Sequence, residues 1–257
     1  MQNPHSLVIV SGATGEIGKA IVNKLYSESY DILAIARNSD KLNELSAQTT
    51  ANKIGKVFNY TLNDCNYASL AKKLEEFPFE KYENINLVNS MGLSWPLSNF
   101  SDLSHDSIDS LVHSNFTATL HIIKIFANAL TKKEGNSIIN IGSVAGRWSS
   151  PKTAIYNACK SAILSFSESI RHEFSSYGVR VTCIEPGVVD SQFSKKRFSS
   201  PEKAEYFYKG IPLLTPNDIA NHVFWCIEQP KHVNIQELAV FPTRQSSVGS
   251  LKKTTDK

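Results

Sequence analysis

Several things are missing from this sequence, and each absence excludes a class of function. No apolar run in the 257 residues approaches the ~20 needed to cross a bilayer, so no membrane-spanning helix is expected. The opening residues Met-Gln-Asn-Pro-His-Ser lack a charged-then-apolar leader pattern, which points to a cytoplasmic protein without membrane partners. The cysteines Cys65, Cys159, Cys183 and Cys226 contain no C-x-x-C pair, so reduced and partly buried thiols are expected rather than a zinc site or a disulfide framework. The histidines show no paired ligand spacing, and no metal is expected. The net charge of +3 is too small and too scattered to mark a nucleic-acid surface. Lys252, Lys253 and Lys257 form only a short basic terminus, and residues 246–257 read as a disordered tail. No internal repeat is present.

Apolar residues, by contrast, make up 41% of the chain, enough for a substantial core, and the length suits one large α/β domain spanning 1–257. Ser6 to Val10 is a fully apolar, β-branched run, as expected of a parallel strand covered on both faces. The turn Ser11-Gly12-Ala13-Thr14-Gly15-Glu16-Ile17-Gly18 follows, then an amphipathic pattern carrying Ile21, Val22 and Leu25. Strand, glycine-rich turn and helix in that order form a phosphate-binding context, because glycines allow close backbone approach and the helix N-terminus offers free N–H groups. A second strand, Asp31 to Ala36, ends at Arg37. In a dinucleotide fold an acid at this point binds the ribose 2′-hydroxyl of NAD, whereas an arginine accommodates the 2′-phosphate of NADP. Asp40 is expected to cap the next helix, and Asn63 and Asp64 follow a weaker strand over Gly55–Leu62 as candidate adenine contacts.

Later in the chain, the run Ile138–Ile141 breaks at Gly142 and presents Ser143; Tyr156 and Lys160 follow. Four residues apart on a helix, the phenol and the ammonium share a face. A phenol is a weak acid, with an unperturbed pKa of ~10. A nearby cation favours its ionised form. Ser143 adds a neutral hydroxyl, and the set suits proton exchange with a carbonyl or alcohol oxygen. With nine tyrosines in a lysine-rich chain, about one such Tyr–Lys pair arises by chance, so the pair alone equally describes surface helix neighbours. The preceding strand and Ser143 distinguish it.

Strand and helix patterns alternate throughout: strands also at Ile85–Val88, Val179–Ile184 and Gln236–Phe241, and helices at Asn66–Phe77, His105–Leu130, Ala154–Tyr177 and after Thr215-Pro216. The pattern predicts a Rossmann-type, doubly wound domain with a seven-stranded, mostly parallel sheet and helices on both faces. Its ligand belongs at the carboxyl ends of the strands, where both the glycine turn and Ser143 fall. Gln192 to Gly210 is polar, charged and aromatic without a deep apolar face, and reads as a substrate lid.

These residues resemble the short-chain dehydrogenase/reductase family over nearly the whole chain. Ser11-Gly12 through Gly18 resembles its Thr-Gly-x-x-x-Gly-x-Gly turn, Asn89 to Gly92 its Asn-Asn-Ala-Gly segment, and Pro186-Gly187 with Val189 and Ser191 its nicotinamide-amide turn. Asn115, Ser143, Tyr156 and Lys160 fall where the family's catalytic tetrad falls. The resemblance implies that Tyr156 is the acid or base, that Lys160 supports it and bonds the nicotinamide ribose, that Ser143 positions the substrate oxygen, and that Asn115 holds a relay water. It implies cofactor contacts at Gly12, Thr14, Gly15, Ile17, Gly18, Arg37, Asn63, Asp64, Asn89, Gly92, Tyr156, Lys160, Pro186, Gly187, Val189 and Ser191. Two departures stand out: Glu16 replaces the middle glycine, where a carboxylate must turn away from a pyrophosphate, and Ser90-Met91 replaces Asn-Ala.

The C-terminal stretch from Leu214 to Gln245 is similar to the branch of NADP-dependent serine and 3-hydroxy acid dehydrogenases, whose members form homo-oligomers, usually tetramers, through their two long helices. The expected function is NADP(H)-dependent oxidation of a small secondary alcohol or reduction of its carbonyl. Two alternatives stay open: a broad carbonyl reductase of bulkier ketones or aldehydes, served by Trp95 and Trp148, and an NADP(H)-binding sensor without turnover.

Overall fold

The computed structural model describes residues 6–49, 55–62, 66–94, 97–198 and 200–254. Asn63, Asp64 and Trp95 lie outside them. The elements, in chain order, are β1 (Ser6–Ser11), α1 (Glu16–Ser27), β2 (Asp31–Ala36), α2 (Ser39–Thr49), β3 (Val57–Thr61), α3 (Tyr67–Leu74), β4 (Asn84–Asn89), α4 (His105–Val112) and α5 (Ala118–Leu130). There follow β5 (Ser137–Ile141), α6 (Ala154–Phe174), β6 (Arg180–Pro186), α7 (Gln192–Lys195), α8 (Pro201–Tyr208), α9 (Pro216–Ile227), β7 (Glu237–Val240), β8 (Gln245–Ser247) and β9 (Ser250–Leu251).

Strands β1 to β7 form one sheet in the order β3-β2-β1-β4-β5-β6-β7, every pairing parallel. The order reverses between β1 and β4, the switch point at which such sheets open a crevice. Alternation along β1 feeds two cores. Val8 and Val10 face a cluster with Ile21, Leu25, Ile219 and Val223 of α1 and α9. Leu7 and Ile9 face another with Leu70, Ile122, Phe126 and Ile170 of α3, α5 and α6. Successive strand side chains point to opposite faces, so a strand apolar at every position is covered twice.

Local chemistry explains most boundaries. Thr215 and Asp218 form a reciprocal capping box at α9, with Pro216 in the first position. Helix α6 tightens over Ser175–Tyr177 and stops at Gly178, whose φ of 68° is the left-handed region that favours glycine. Asn66 caps α3, accepting from the Ser69 N–H at 2.9 Å.

Four expectations differ from the structure. Asn38, not Asp40, caps α2: its Oδ1 accepts from the Lys41 N–H at 2.9 Å, and Asp40 sits in the first turn. The helix expected over His105–Leu130 is interrupted by a π-helical turn at His113–Thr117. The segment expected to lack an apolar face folds into α7 and α8, fully burying Ala204. There Phe198, Phe207 and Tyr208 gather with ring centroids 5.1 to 5.5 Å apart, a cluster made only when α8 turns back. The tail expected to be disordered instead carries β8 paired antiparallel with β9, and the Thr254 N–H donates to the Gly210 carbonyl at 2.7 Å.

Candidate active site

At the carboxyl ends of the strands lies a crevice of about 340 Å³. Its first wall is the glycine turn. Gly12 takes φ 72°, and its carbonyl accepts from the Gly15 N–H at 3.0 Å. A Cβ on Gly12 would lie 2.7 Å from the Ser90 carbonyl oxygen, so the turn is packed directly on the segment after β4. Gly15 precedes α1 without a side-chain cap, which leaves the first N–H groups of that helix for an anionic ligand. Gly15, Ile17 and Gly18 line the crevice; Gly12 and half-buried Thr14 shape the turn behind them. Glu16 does turn away: its Oε2 accepts from the Gln192 N–H at 2.6 Å, bridging the glycine turn to the start of α7. Arg37 is exposed at the end of β2, where a 2′-phosphate would extend.

The second wall carries the chemistry. Ser143 follows β5 after Gly142, in extended backbone, and its Oγ accepts from the Ala145 N–H at 3.1 Å. The loop behind it is held by Arg147, which donates to the Glu185 carboxylate at 2.6 and 2.9 Å and also bonds Glu237. Glu185 is almost wholly buried on β6, so Arg147 ties the loop after Ser143 to β6 and, through Glu237, to β7. Tyr156 and Lys160 lie one turn apart on α6. Lys160 is buried, and its Nζ donates to the Ile141 carbonyl at 2.9 Å. An ammonium has three donors, so two remain for the crevice that Lys160 lines. Its Nζ stands 5.8 Å from the Tyr156 ring centroid. Ser143, Tyr156 and Lys160 therefore face one space, shared with Gly92, Pro186, Gly187, Val189 and Ser191.

Asn115 stands behind this wall. It is buried in the π-helical turn, where its Nδ2 donates to the Leu93 and Leu111 carbonyls, both at 3.0 Å, and its Oδ1 accepts from the Leu93 N–H at 3.2 Å. The side chain thus bonds a carbonyl of its own interrupted helix and holds the segment after Gly92. Asn89 is likewise engaged inside the fold: it accepts from Ser11 Oγ at 3.0 Å and donates to Asn140 at 2.8 Å, and Asn140 donates to Ser167 at 2.9 Å. This buried ladder joins β1, β4, β5 and α6 beneath the crevice. Sequence patterns gave no sign of it, since lone asparagines in strands carry no periodic signal.

Sequence reasoning also missed Phe193, Arg197 and Tyr208, which line the crevice from the α7–α8 segment. Trp148 instead packs on Phe241 at 5.8 Å and lies outside the crevice lining. The thiols of Cys159, Cys183 and Cys226 are buried; burial pushes that of Cys183 up to about 12 and that of Cys226 to about 11, so neither is a nucleophile near neutral pH. Among the described residues, no helix is long and apolar enough to cross a membrane.

Comparison with known proteins agrees with this geometry. Over 246 residues the chain is 31% identical to the NADP-dependent 3-hydroxy acid dehydrogenase YdfG of Escherichia coli O6:H1, covering 95% of this chain and 97% of that one. It is 30% identical to serine 3-dehydrogenase of Agrobacterium fabrum, covering 94% of this chain and 96% of that one. The closed form of a serine dehydrogenase complexed with NADP+ superposes with a TM-score of 0.86 at 30% identity, over 97% of this chain and all of that one. Residues 6–202 match the short chain dehydrogenase family. With the glycine turn, Ser143, Tyr156 and Lys160 around one crevice, the chain belongs to the short-chain dehydrogenase family of oxidoreductases.

Proposed function

We propose that the protein is an NADP(H)-dependent oxidoreductase that interconverts a small secondary alcohol and its carbonyl, with a 3-hydroxy acid or hydroxy amino acid as the substrate class. One observation carries this reading: Ser143, Tyr156 and Lys160 share a crevice with the uncapped N-terminus of α1 and the Pro186-Gly187 turn. The residues present fit the cofactor. Gly12 and Gly18 have no room for a Cβ, Gly15 leaves the helix amides open, and exposed Arg37 offers a planar fork to a 2′-phosphate. When bound, NADP(H) supplies or accepts the hydride.

The protein's own groups handle the proton. Tyr156 gives its hydroxyl proton to the carbonyl oxygen on reduction and takes the alcohol proton on oxidation. Ser143 holds that oxygen through a second hydroxyl. Lys160, anchored by Ile141, stabilises the phenolate that remains and directs its spare donors at the nicotinamide ribose. Asn115 fixes the strand-end segment beside them, the place of a relay water in this reading. Residues 192–210 act as the lid, with Glu16 bonded to its first turn. Homo-oligomerisation through the outer faces of α4–α5 and α6, and a cytoplasmic location, complete the proposal; sedimentation velocity checks the former.

Tyr156→Phe tests the mechanism. The variant is expected to bind NADPH normally and to lose turnover of 3-hydroxy acids and hydroxy amino acids. Retention of more than about a tenth of kcat, a barrier change below ~1.4 kcal/mol, refutes the assignment. The size of the crevice and its Phe193, Phe198 and Phe207 wall favour a second reading, reduction of bulkier ketones. Rates on such ketones far above those on short hydroxy acids would select it. NADPH binding without turnover of any substrate would instead mark a sensor.

A further inference from the structure

Beside the crevice lies a small side pocket of about 30 Å³, lined by Ser94, Ser98, Phe100, Leu111, Lys152 and others. Tyr156, Phe193 and Arg197 line both spaces and so frame their junction. A substrate whose hydroxyl carbon meets Tyr156 has this junction within reach of its remaining atoms. The charges around it are one-sided. Across both linings the single carboxylate is Glu16, at the far glycine turn and bonded to Gln192. The cations are Lys160, Lys152 and Arg197. Lys160 is buried against the Ile141 carbonyl and serves the phenol. Lys152 is exposed, so water weakens its pull.

Arg197 differs from both. It is half-buried, and its backbone carbonyl is pinned by the Leu97 N–H at 3.0 Å. Nearby Arg147 and Lys195 each hold a carboxylate. Among the described residues, no carboxylate comes within ion-pair distance of the Arg197 guanidinium. Asp190, which like Arg197 lies near the Tyr208 phenol, is taken by Lys195 at 3.0 Å. The half-buried Tyr208 phenol also lies near Arg197, and Tyr156 shares its lining. A further polar atom waits in the same pocket: the Ser94 hydroxyl is buried without a hydrogen-bond partner.

We infer that Arg197 is the residue that selects acidic substrates, its guanidinium taking the carboxylate of a short hydroxy acid whose hydroxyl carbon lies at Tyr156 and Ser143. This rests on the oxidoreductase reading above and adds to it the group that reads the acid. A planar fork matches both carboxylate oxygens, and partial burial strengthens the pair relative to one in water. A neutral analogue leaves the guanidinium unpaired and forfeits that interaction.

The test compares 3-hydroxybutanoate with its methyl ester, which share the secondary alcohol and differ in charge. The unaltered protein is expected to prefer the acid. Arg197→Met should lower kcat/KM for the acid roughly 10- to 100-fold, mainly through KM, and change the ester less than about threefold. Arg197→Lys, which keeps the charge and loses the fork, should fall between. NADPH titration and thermal melting of each variant verify an intact crevice. Equal losses on acid and ester would mean that Arg197 only holds the lid and would overturn the inference alone. A larger acid-specific loss in Lys152→Met than in Arg197→Met would overturn it too. An unaltered protein that oxidises the ester but not the acid refutes both the small-acid reading and this inference.

Discussion

Gly18→Ala puts the architecture of the cofactor turn to the sharpest test. A Cβ at Gly18 would lie 2.1 Å from the Gly12 carbonyl oxygen, 2.9 Å from its carbonyl carbon and 3.0 Å from Ala13 Cα. All three are backbone atoms, so no side chain can swing aside. Real Cβ contacts stop near 3.0 Å, so α1 and the turn must part by nearly an ångström. The Gly12 oxygen also accepts the Gly15 N–H, and moving it opens the turn that presents the helix N-terminus. Overpacking of this kind costs ~1–3 kcal/mol. At about 2–4 °C per kcal/mol for a domain of this size, the melting temperature should fall by ~2–12 °C. Each charge-assisted donor lost to the pyrophosphate is worth ~1.5–3 kcal/mol, so the Kd for NADPH should rise at least tenfold. Gly15→Ala is the control for stability, because its Cβ meets the same oxygen at 3.4 Å, close to ordinary contact, and its melting temperature should hold. Gly18→Ala protein that melts normally and binds NADPH within threefold of the unaltered chain, measured by fluorescence titration, would refute the packing argument.

Arg37→Ala should erode a preference for NADP over NAD chiefly by weakening NADP; equal kcat/KM for the two cofactors in the unaltered protein would show that Arg37 reads no phosphate. Arg147→Met leaves the Glu185 carboxylate buried without its partner, and should cost up to ~3 kcal/mol of stability while lowering kcat through the Ser143 loop. Denaturant unfolding with an unchanged midpoint would count against that anchor. Iodoacetamide at pH 8 should leave Cys159, Cys183 and Cys226 unmodified in the native protein and alkylate them after denaturation, because burial raises all three thiols above that pH. Mass spectrometry of the native sample reads this directly, and rapid labelling of any of the three would contradict it.

The sequence by itself determined the layering and the reacting groups. Short continuous apolar runs such as Leu7–Val10 alternate with helical patterns, and that local patterning suffices for a parallel sheet covered on both faces. The i to i+4 spacing of Tyr156 and Lys160, and the glycines from Gly12 to Gly18, are equally local, and each keeps its geometry in the folded chain. Contacts between residues far apart in sequence were decided only by tertiary structure. Glu16 meets Gln192 because the switch point brings the ends of β1 and β6 to one rim. Asn115 is buried because a π-helical turn rotates it inward, a change that a helical repeat cannot encode. The Arg147–Glu185–Glu237 tie joins a loop to two strands and the Ser11–Asn89–Asn140–Ser167 ladder joins four elements, so no window of sequence contains either. Arg197 reads as one more cation in a charged segment until α7 and α8 fold over the crevice and leave its guanidinium beside Tyr156 without an acid of its own. Periodicity reports which face a residue takes on its own element; which faces meet depends on packing between elements.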